Sequence, residues 1–392
     1  MAKQVLKTLA LRLLSRFIPL RDEIFLESKP IFSDNTYRLY LEMLEQGLNE
    51  RYRLSWIYDD YDVSYGSPLP EALPANVRIV RFDRGIRLGK LRRICYLARG
   101  RLYISCNYFY GGRRKGQFNL HLNHGAPFKN AGEYNCRSPL CSAETALSQF
   151  LVPYTAVDSG IPEEKLVVTG FPRNDYFFPA QPMDREVIPA LAGFGKVVAW
   201  LPTFRQNWDK VRVDSDVVFP YGIPIIQSRE DMIALNDAMR ETNTLLIIKI
   251  HFAQDMTYIV RDNFSHIRFY TNRDLDELQL QLNEFLAMTD ALITDYSSVY
   301  FDYLLAGKPI GLTIDDLEHY LAAPGIRYEN YFEAIRGCYL SDLSQMLDFL
   351  SRTVQTGDDS ALAGARERYH DYTDGGSSRR VLDYLRREGV IF

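Results

Sequence analysis

The chain has 392 residues, with 46% apolar, 13% aromatic and 24% charged side chains. That balance suits two or three packed domains at roughly 150 residues each and excludes a disordered chain, a fibrous one and a lone small module. The formal net charge is −4, and the longest apolar runs, such as residues 244–250, fall far short of the roughly 20 residues that a membrane-spanning helix needs.

In chain order, residues 1–22 come first. Lys3, Lys7, Arg12, Arg16 and Arg21 precede the first acid, Asp22. Wound at about 100° per residue, Leu6, Leu9, Leu13 and Phe17 form one stripe flanked by the bases. That pattern fits a basic amphipathic helix on an anionic membrane surface and equally an ordinary docking helix. Charges within the apolar stretch, and no small-residue cleavage site after it, speak against a signal peptide.

From residue 23 the pattern alternates strand and helix. Strands are expected at 24–26, 54–58, 77–80, 102–105 and 118–122, with helices at 35–46 and 87–97. Residues 154–169 continue the theme, 170–175 read as a turn, and 179–189 read as a Pro-bearing linker. The alternation restarts with strands at 197–201, 245–250, 267–270, 291–294 and 309–313, and helices at 229–241, 276–288, 299–306 and 343–353. This grammar predicts an α/β protein with two doubly wound, Rossmann-like domains, at 23–178 and 190–365, facing across a ligand cleft, followed by a terminal segment at 366–392. The five cysteines (Cys95, Cys106, Cys136, Cys141 and Cys338) are sparse and odd in number, as expected for free thiols in a reducing compartment.

Charge is unevenly spread. Between Arg78 and Lys115 twelve Lys or Arg stand against one acid, Asp83. Part of that run is expected on a surface that meets phosphates, the alternative being a solvated basic face.

Four strand ends carry candidate chemistry. In Ala291–Tyr303 a strand closes at Thr294, Asp295 and Tyr296 turn the chain, and Ser297 and Ser298 open a helix. Free amides and two hydroxyls there suit an anion, although Ser297 also suits a plain cap. Asp302 follows Ser298 by one turn. His124 sits at another strand end, where Gly125 allows close approach; it fits a general base near neutral pH or a structural histidine. His121 belongs to the opposite strand face and is not paired with it. Lys249 and His251 leave a third strand, and Thr203 and Arg205 a fourth, with a guanidinium fork suited to phosphate oxygens. GxxxxGK[ST], GxGxxG and HExxH patterns are missing, which weakens readings as a P-loop, dinucleotide or zinc-hydrolase protein. The acids Asp59, Asp60 and Asp62, and Asp315 and Asp316, suit a divalent ion, but adjacent acids in loops are more often solvated, and that is the expectation here.

Several stretches resemble one family. ITDYSSVYFDYLLAGKPI (293–310), NHGAPFK (123–129), TGFPRNDYF (169–177), LPTFR (201–205), KIH (249–251), TDGGSSRRVLDYL (373–385) and FLESKPIFSDNTYRLYLEML (25–44) are similar to the CDP-glycerol glycerophosphotransferase family of teichoic acid and capsule synthesis. The resemblance implies a GT-B type arrangement, peripheral attachment to the inner face of the cytoplasmic membrane, and metal-independent transfer without a cofactor. A polyol phosphate would pass from a CDP-polyol to a hydroxyl of a membrane-linked or polymeric acceptor, releasing CMP. By motif, His124 matches the catalytic base and His251 the second essential histidine. Ser297, Ser298 and Asp302 match the donor-binding helix, and Thr203 with Arg205 the element near the phosphates; Asp295 and Lys249 are expected beside them. Gly125, Lys129, Arg113 and Arg114 are expected on the acceptor side. Residues 366–392 would return to the first domain. An anionic membrane surface is an expected partner and a nucleic-acid polymer is not. Asn123, Ala126 and Phe252 replace the family's usual Trp, Thr and Pro, and residues 316–343 match its pattern poorly. A nucleotide-sugar glycosyltransferase and a non-catalytic scaffold of a polymer-synthesis complex are the alternatives.

Overall fold

Strand β1 (Arg21–Glu27) is buried from Glu23 to its end, as a central strand covered on both faces must be. It pairs in parallel with β2 (Arg53–Tyr58), Ile24 lying opposite Leu54. Beyond β2 lies β3 (Val77–Arg81), and on the other side of β1 follow β4 (Gly100–Ser105), β5 (Phe118–His121), β6 (Ala143–Ala146) and β7 (Leu166–Val168). The resulting order is β3-β2-β1-β4-β5-β6-β7, parallel throughout. Gly100 opens β4 where any Cβ would come 2.6 Å from the ring of Phe25. These features come from a computed structural model that describes residues 17–83, 89–108, 114–130, 140–181, 183–203, 205, 217–250 and 262–392, with only the backbone of 89–92 and 94.

A second parallel sheet contains β8 (Lys196–Leu201), β9 (Thr244–Lys249), β10 (Ile267–Tyr270), β11 (Ala291–Thr294), β12 (Ile310–Thr313) and β13 (Cys338–Leu340). Its order is β10-β9-β8-β11-β12-β13. In both sheets the chain builds outward from one strand, then reverses and builds the other way. The reversals fall between β1 and β4 and between β8 and β11, and doubly wound sheets bind ligands outside the carboxyl ends of strands at such points.

Most expected elements form, and the differences have local causes. The helix Arg229–Glu241 begins at Ser228, whose side chain accepts the N–H of Asp231 in a reciprocal capping box. The single helix expected at 276–288 is instead two, Asn272–Glu277 and Leu282–Met288, with Gln279 between them in the left-handed region at φ 57°. Strands β6, β7 and β13 have only four, three and three residues, too few for a two-residue period to show.

Contacts divide the chain into two units. One contains Met1–Ala126, Glu133–Asp175 and Asp371–Phe392, and the other Pro127–Gly132 and Tyr176–His370. In the first, the final helix, Ser377–Arg387, buries Val381, Leu382 and Leu385 in one cluster with Leu39, Met43 and Trp56. The carboxylate of Asp175 accepts the N–H groups of Ser377 and Ser378, at 2.8 and 2.9 Å, and so caps that helix from a distant part of the chain. In the second, Trp200, Ile248, Ile293 and Phe349 share a core. The stripe Leu6, Leu9 and Leu13 lies outside the described residues, whereas Phe17 is exposed.

Candidate functional site

At the reversal point of the second sheet the carboxyl ends of β8 and β11 lie side by side, Leu201 in register with Thr294. Thr203 donates its backbone N–H to both oxygens of Asp295, at 2.9 and 3.0 Å, and its hydroxyl to Oδ1 at 2.5 Å. Asp295 also accepts the N–H of Tyr296 at 2.7 Å. Arg205 is fully enclosed. Its Nε and Nη2 meet Asp316 at 2.7 and 3.1 Å, Nη2 also meets Asp295 at 3.0 Å, and Nη1 donates to the Thr203 carbonyl at 2.7 Å. The Tyr296 ring lies 5.2 Å from the guanidinium and the Tyr320 ring 5.8 Å, and the Tyr296 hydroxyl donates to Asp316 at 2.9 Å. Burial opposes the charge on Arg205, and the two carboxylates outweigh it and raise its pKa.

The fork of Arg205, expected to grip phosphate oxygens, therefore holds carboxylates instead. It locks two strand-end loops together. Asp316, expected in a solvated loop, is buried, and sequence reasoning had no signal for it because its partner lies 111 residues away. Ser297 and Ser298 are half-buried at the start of the helix Val299–Tyr303. Ser298 makes no side-chain cap bond, and the Ser297 hydroxyl accepts only a long 3.4 Å contact from the N–H of Val299. Asp302 is buried on the same short helix. Lys249 is enclosed at the end of β9 and donates to Asn272 Oδ1 at 2.6 Å. Burial pushes its pKa down to about 8 against the pull of Asp276 and Asp274. His251 lies outside the described residues.

In the first unit β5 ends at His121, and Asn123 takes the left-handed conformation at φ 60°. The turn directs His124 out of the sheet with its side chain exposed. The carbonyl of His124 accepts from Arg173 Nη1 at 2.8 Å, and the same nitrogen is bonded to Asp34 at 2.8 Å. Gly125 and Ala126 follow, and Lys129 already belongs to the second unit, where its backbone bridges to Ile326 and its ammonium lies 5.9 Å from the Tyr320 ring centre.

Arg114, expected on the acceptor side, precedes β5 at the amino end of the sheet, where Nη1 donates to the carbonyls of Ile18 and Ala98 at 2.5 and 3.3 Å. Much of the basic run shares that edge. Arg78 and Arg99 both bind the buried Glu23, and Arg101 pairs with Asp22 at 3.2 Å. With about 3.3 Å per strand residue, the four residues of β5 put the amino edge roughly 13 Å from the strand end that carries His124. Arg113 is outside the described residues.

A second polar cluster lies at the carboxyl end of β1, and Asp62, expected in a solvated loop, is buried in it. Glu27 is buried and accepts the N–H groups of Cys106 and Asn107 at 3.2 and 3.0 Å. Its burial pushes the carboxyl pKa up to about 7, against those bonds and the nearby Lys29. Lys29 is bonded to Asp59 and Asp62 at 2.8 and 2.9 Å; burial works against its charge, and the two carboxylates more than reverse that, raising its pKa. Among the described residues no group of three or more His, Cys, Asp or Glu is placed to hold a metal ion.

Two Rossmann-like parallel sheets, each with polar strand ends at its reversal point, define the GT-B class of fold. The structure of the wall teichoic acid polymerase TagF superposes on 94% of this chain and 90% of its own with a TM-score of 0.68 at 17% identity, a likeness of fold. Residues 11–387 match the family model of CDP-glycerol:poly(glycerophosphate) glycerophosphotransferases, and the chain belongs to that family. Relatives include the teichoic acid ribitol-phosphate polymerase TarL of Staphylococcus aureus, 24% identical over 92% of this chain and 61% of its own length. A teichoic acid ribitol-phosphate primase of Bacillus spizizenii is 24% identical over 60% of this chain and 56% of its own. The chain thus spans a little over half the length of these two relatives.

Proposed function

We propose that this protein transfers glycerol phosphate or ribitol phosphate from a CDP-polyol to a hydroxyl of a membrane-linked or polymeric acceptor in teichoic acid or capsule synthesis. The observation that carries this reading is the family match across residues 11–387, which contains every strand-end segment described above. In the proposed step the acceptor hydroxyl loses its proton to His124 and attacks the β-phosphorus of the donor. The bond from that phosphorus to the bridging oxygen breaks, and CMP departs with the oxygen. The hydroxyls of Ser297 and Ser298 bind the diphosphate, Thr203 holds Asp295 in place beside them, and His251 assists as a second histidine. Preorganised donors of this kind stabilise developing charge because they need no reorganisation during the reaction. Arg205 supports them by fixing Asp295 and Asp316 and does not itself meet phosphate. Lys249 and Asp302 complete the donor side, and Gly125 gives the acceptor close access to His124.

Attachment to the membrane is proposed to be peripheral, on the cytoplasmic face, through residues 1–22 and the basic amino edge of the first sheet. Among the described residues no helix is long and apolar enough to cross a membrane.

Thermal shift and turnover with CDP-glycerol, CDP-ribitol and a set of nucleotide sugars test the reading. A ligand that binds only the folded state raises the unfolding midpoint by mass action. The expected result is a shift with a CDP-polyol that disappears in Ser297→Ala/Ser298→Ala, and turnover that disappears in His124→Ala. A shift with a nucleotide sugar alone would replace this function with glycosyl transfer.

A further inference from the structure

The residue before the proposed base has every backbone and amide function engaged. Asn123 is buried and holds a left-handed backbone at φ 60°, a conformation that Asn tolerates better than most side chains. Its N–H donates to His121 Nδ1 at 3.0 Å, and its carbonyl accepts from Asn35 Nδ2 at 2.9 Å. Its amide group faces two ways. Oδ1 accepts the N–H of His124 at 2.8 Å, while Nδ2 donates to Glu144 Oε1 at 3.0 Å. Glu144 is itself fixed by the hydroxyl of Ser159 at 2.5 Å. Since Arg173 holds the carbonyl of His124, both polar groups of that residue's backbone are tied down while its imidazole stays exposed.

We propose that Asn123 is a positioning residue for His124: its left-handed turn and its amide, braced by Glu144, aim the imidazole at the acceptor hydroxyl in one orientation. The inference rests on the reading of His124 as the base. A misplacement of about 1 Å at a reacting group can cost about 10²-fold in rate, so orientation is enough to matter. Replacement by other residues separates the two parts of the device. Glycine keeps the left-handed backbone at no steric cost and loses the amide. Aspartate keeps the oxygen that accepts the His124 N–H but sets a second oxygen against Glu144 Oε1, where only a shared proton restores the missing donor.

With a CDP-polyol that the wild type turns over, Asn123→Gly is expected to lower the unfolding midpoint, since Glu144 loses a donor, and to lower kcat of the folded protein by about 10²-fold while KM for the donor stays near wild type. Asn123→Asp is expected to recover activity relative to wild type as pH falls and the carboxyl pair takes up its proton. A structural role alone would not produce that split or that pH profile. If Asn123→Gly keeps kcat within twofold and an unchanged pH profile, while His124→Ala is inactive, the positioning role is overturned and the base stands. If His124→Ala is fully active, the base assignment fails first and takes the inference with it. NMR of protein carrying ¹³C-labelled histidine reads the device without turnover. One sharp His124 signal in the wild type should broaden or split in Asn123→Gly, and an unchanged signal would overturn the inference even if no donor is turned over.

Discussion

Buried charge decides most of what individual residues do here. Glu27 has its pKa raised from 4.5 to about 7 by burial, so between those values the folded protein binds a proton that the unfolded chain does not. The contribution of Glu27 to stability is therefore largest below the lower value and is lost as pH rises through the upper one, by about 3 kcal/mol in total. Glu27→Gln should flatten that decline, and urea unfolding of both proteins at pH 5 and pH 8 is the check; parallel losses would show that Glu27 is not the titrating group. Arg205 is a different case, a guanidinium with three fixed acceptors. Removing one partner of a buried pair costs about 3–5 kcal/mol because the other charge is left unpaired. Arg205→Ala should lose stability on that scale, and donor binding should weaken with it as Asp295 loses its place. Loss of donor binding with unchanged stability would instead make Arg205 a phosphate ligand.

Two motif stretches that lie about 200 residues apart turn out to be one joint. TGFPRNDYF supplies Asp175, and TDGGSSRRVLDYL supplies the helix start that Asp175 caps. The fit is close: a Cβ on Gly170, which is in the left-handed region at φ 74°, would meet Ser377 Oγ at 2.6 Å. Side-chain caps contribute about 0.5–2 kcal/mol, so Asp175→Ala should lower stability by about that amount and speed amide exchange in the helix Ser377–Arg387. Unchanged exchange there would show that the helix is held by its apolar face alone. The first stretch was expected as a turn and the second as a segment returning to the first domain, and the structure gives both a mechanical role. At β8 and β11 the reverse holds, since Ser298 spends no hydrogen bond on capping its own short helix and its hydroxyl is left for the proposed donor.

At the scale of the molecule, the last 22 residues belong to the unit that contains the first strands. Deleting residues 371–392 should uncover Leu39, Met43 and Trp56 and raise amide exchange in β1, β2 and the helix Asp34–Glu45, with β8 to β13 unaffected. Equal loss in both units would mean that they do not fold separately. Sequence alone was enough for the central strands, because β8, β9, β11 and the stretch Ile24–Leu26 of β1 carry apolar residues on both faces and such runs declare themselves locally. It also located Thr203, Asp295, Ser297 and Ser298 just past the ends of those strands, and His124 just past β5. What tertiary structure decided was the partner of each charged group. Asp316 reaches Arg205, Asp175 reaches Ser377 and Ser378, and Glu144 reaches Asn123 only after the sheets have formed. It also decided that Arg78, Arg99, Arg101 and Arg114 share the amino edge of the first sheet, since a charge count along the chain does not distinguish the amino end of a strand from its carboxyl end. Periodicity is a local property that covalent spacing carries, whereas the pairing of buried charges depends on which strands become neighbours.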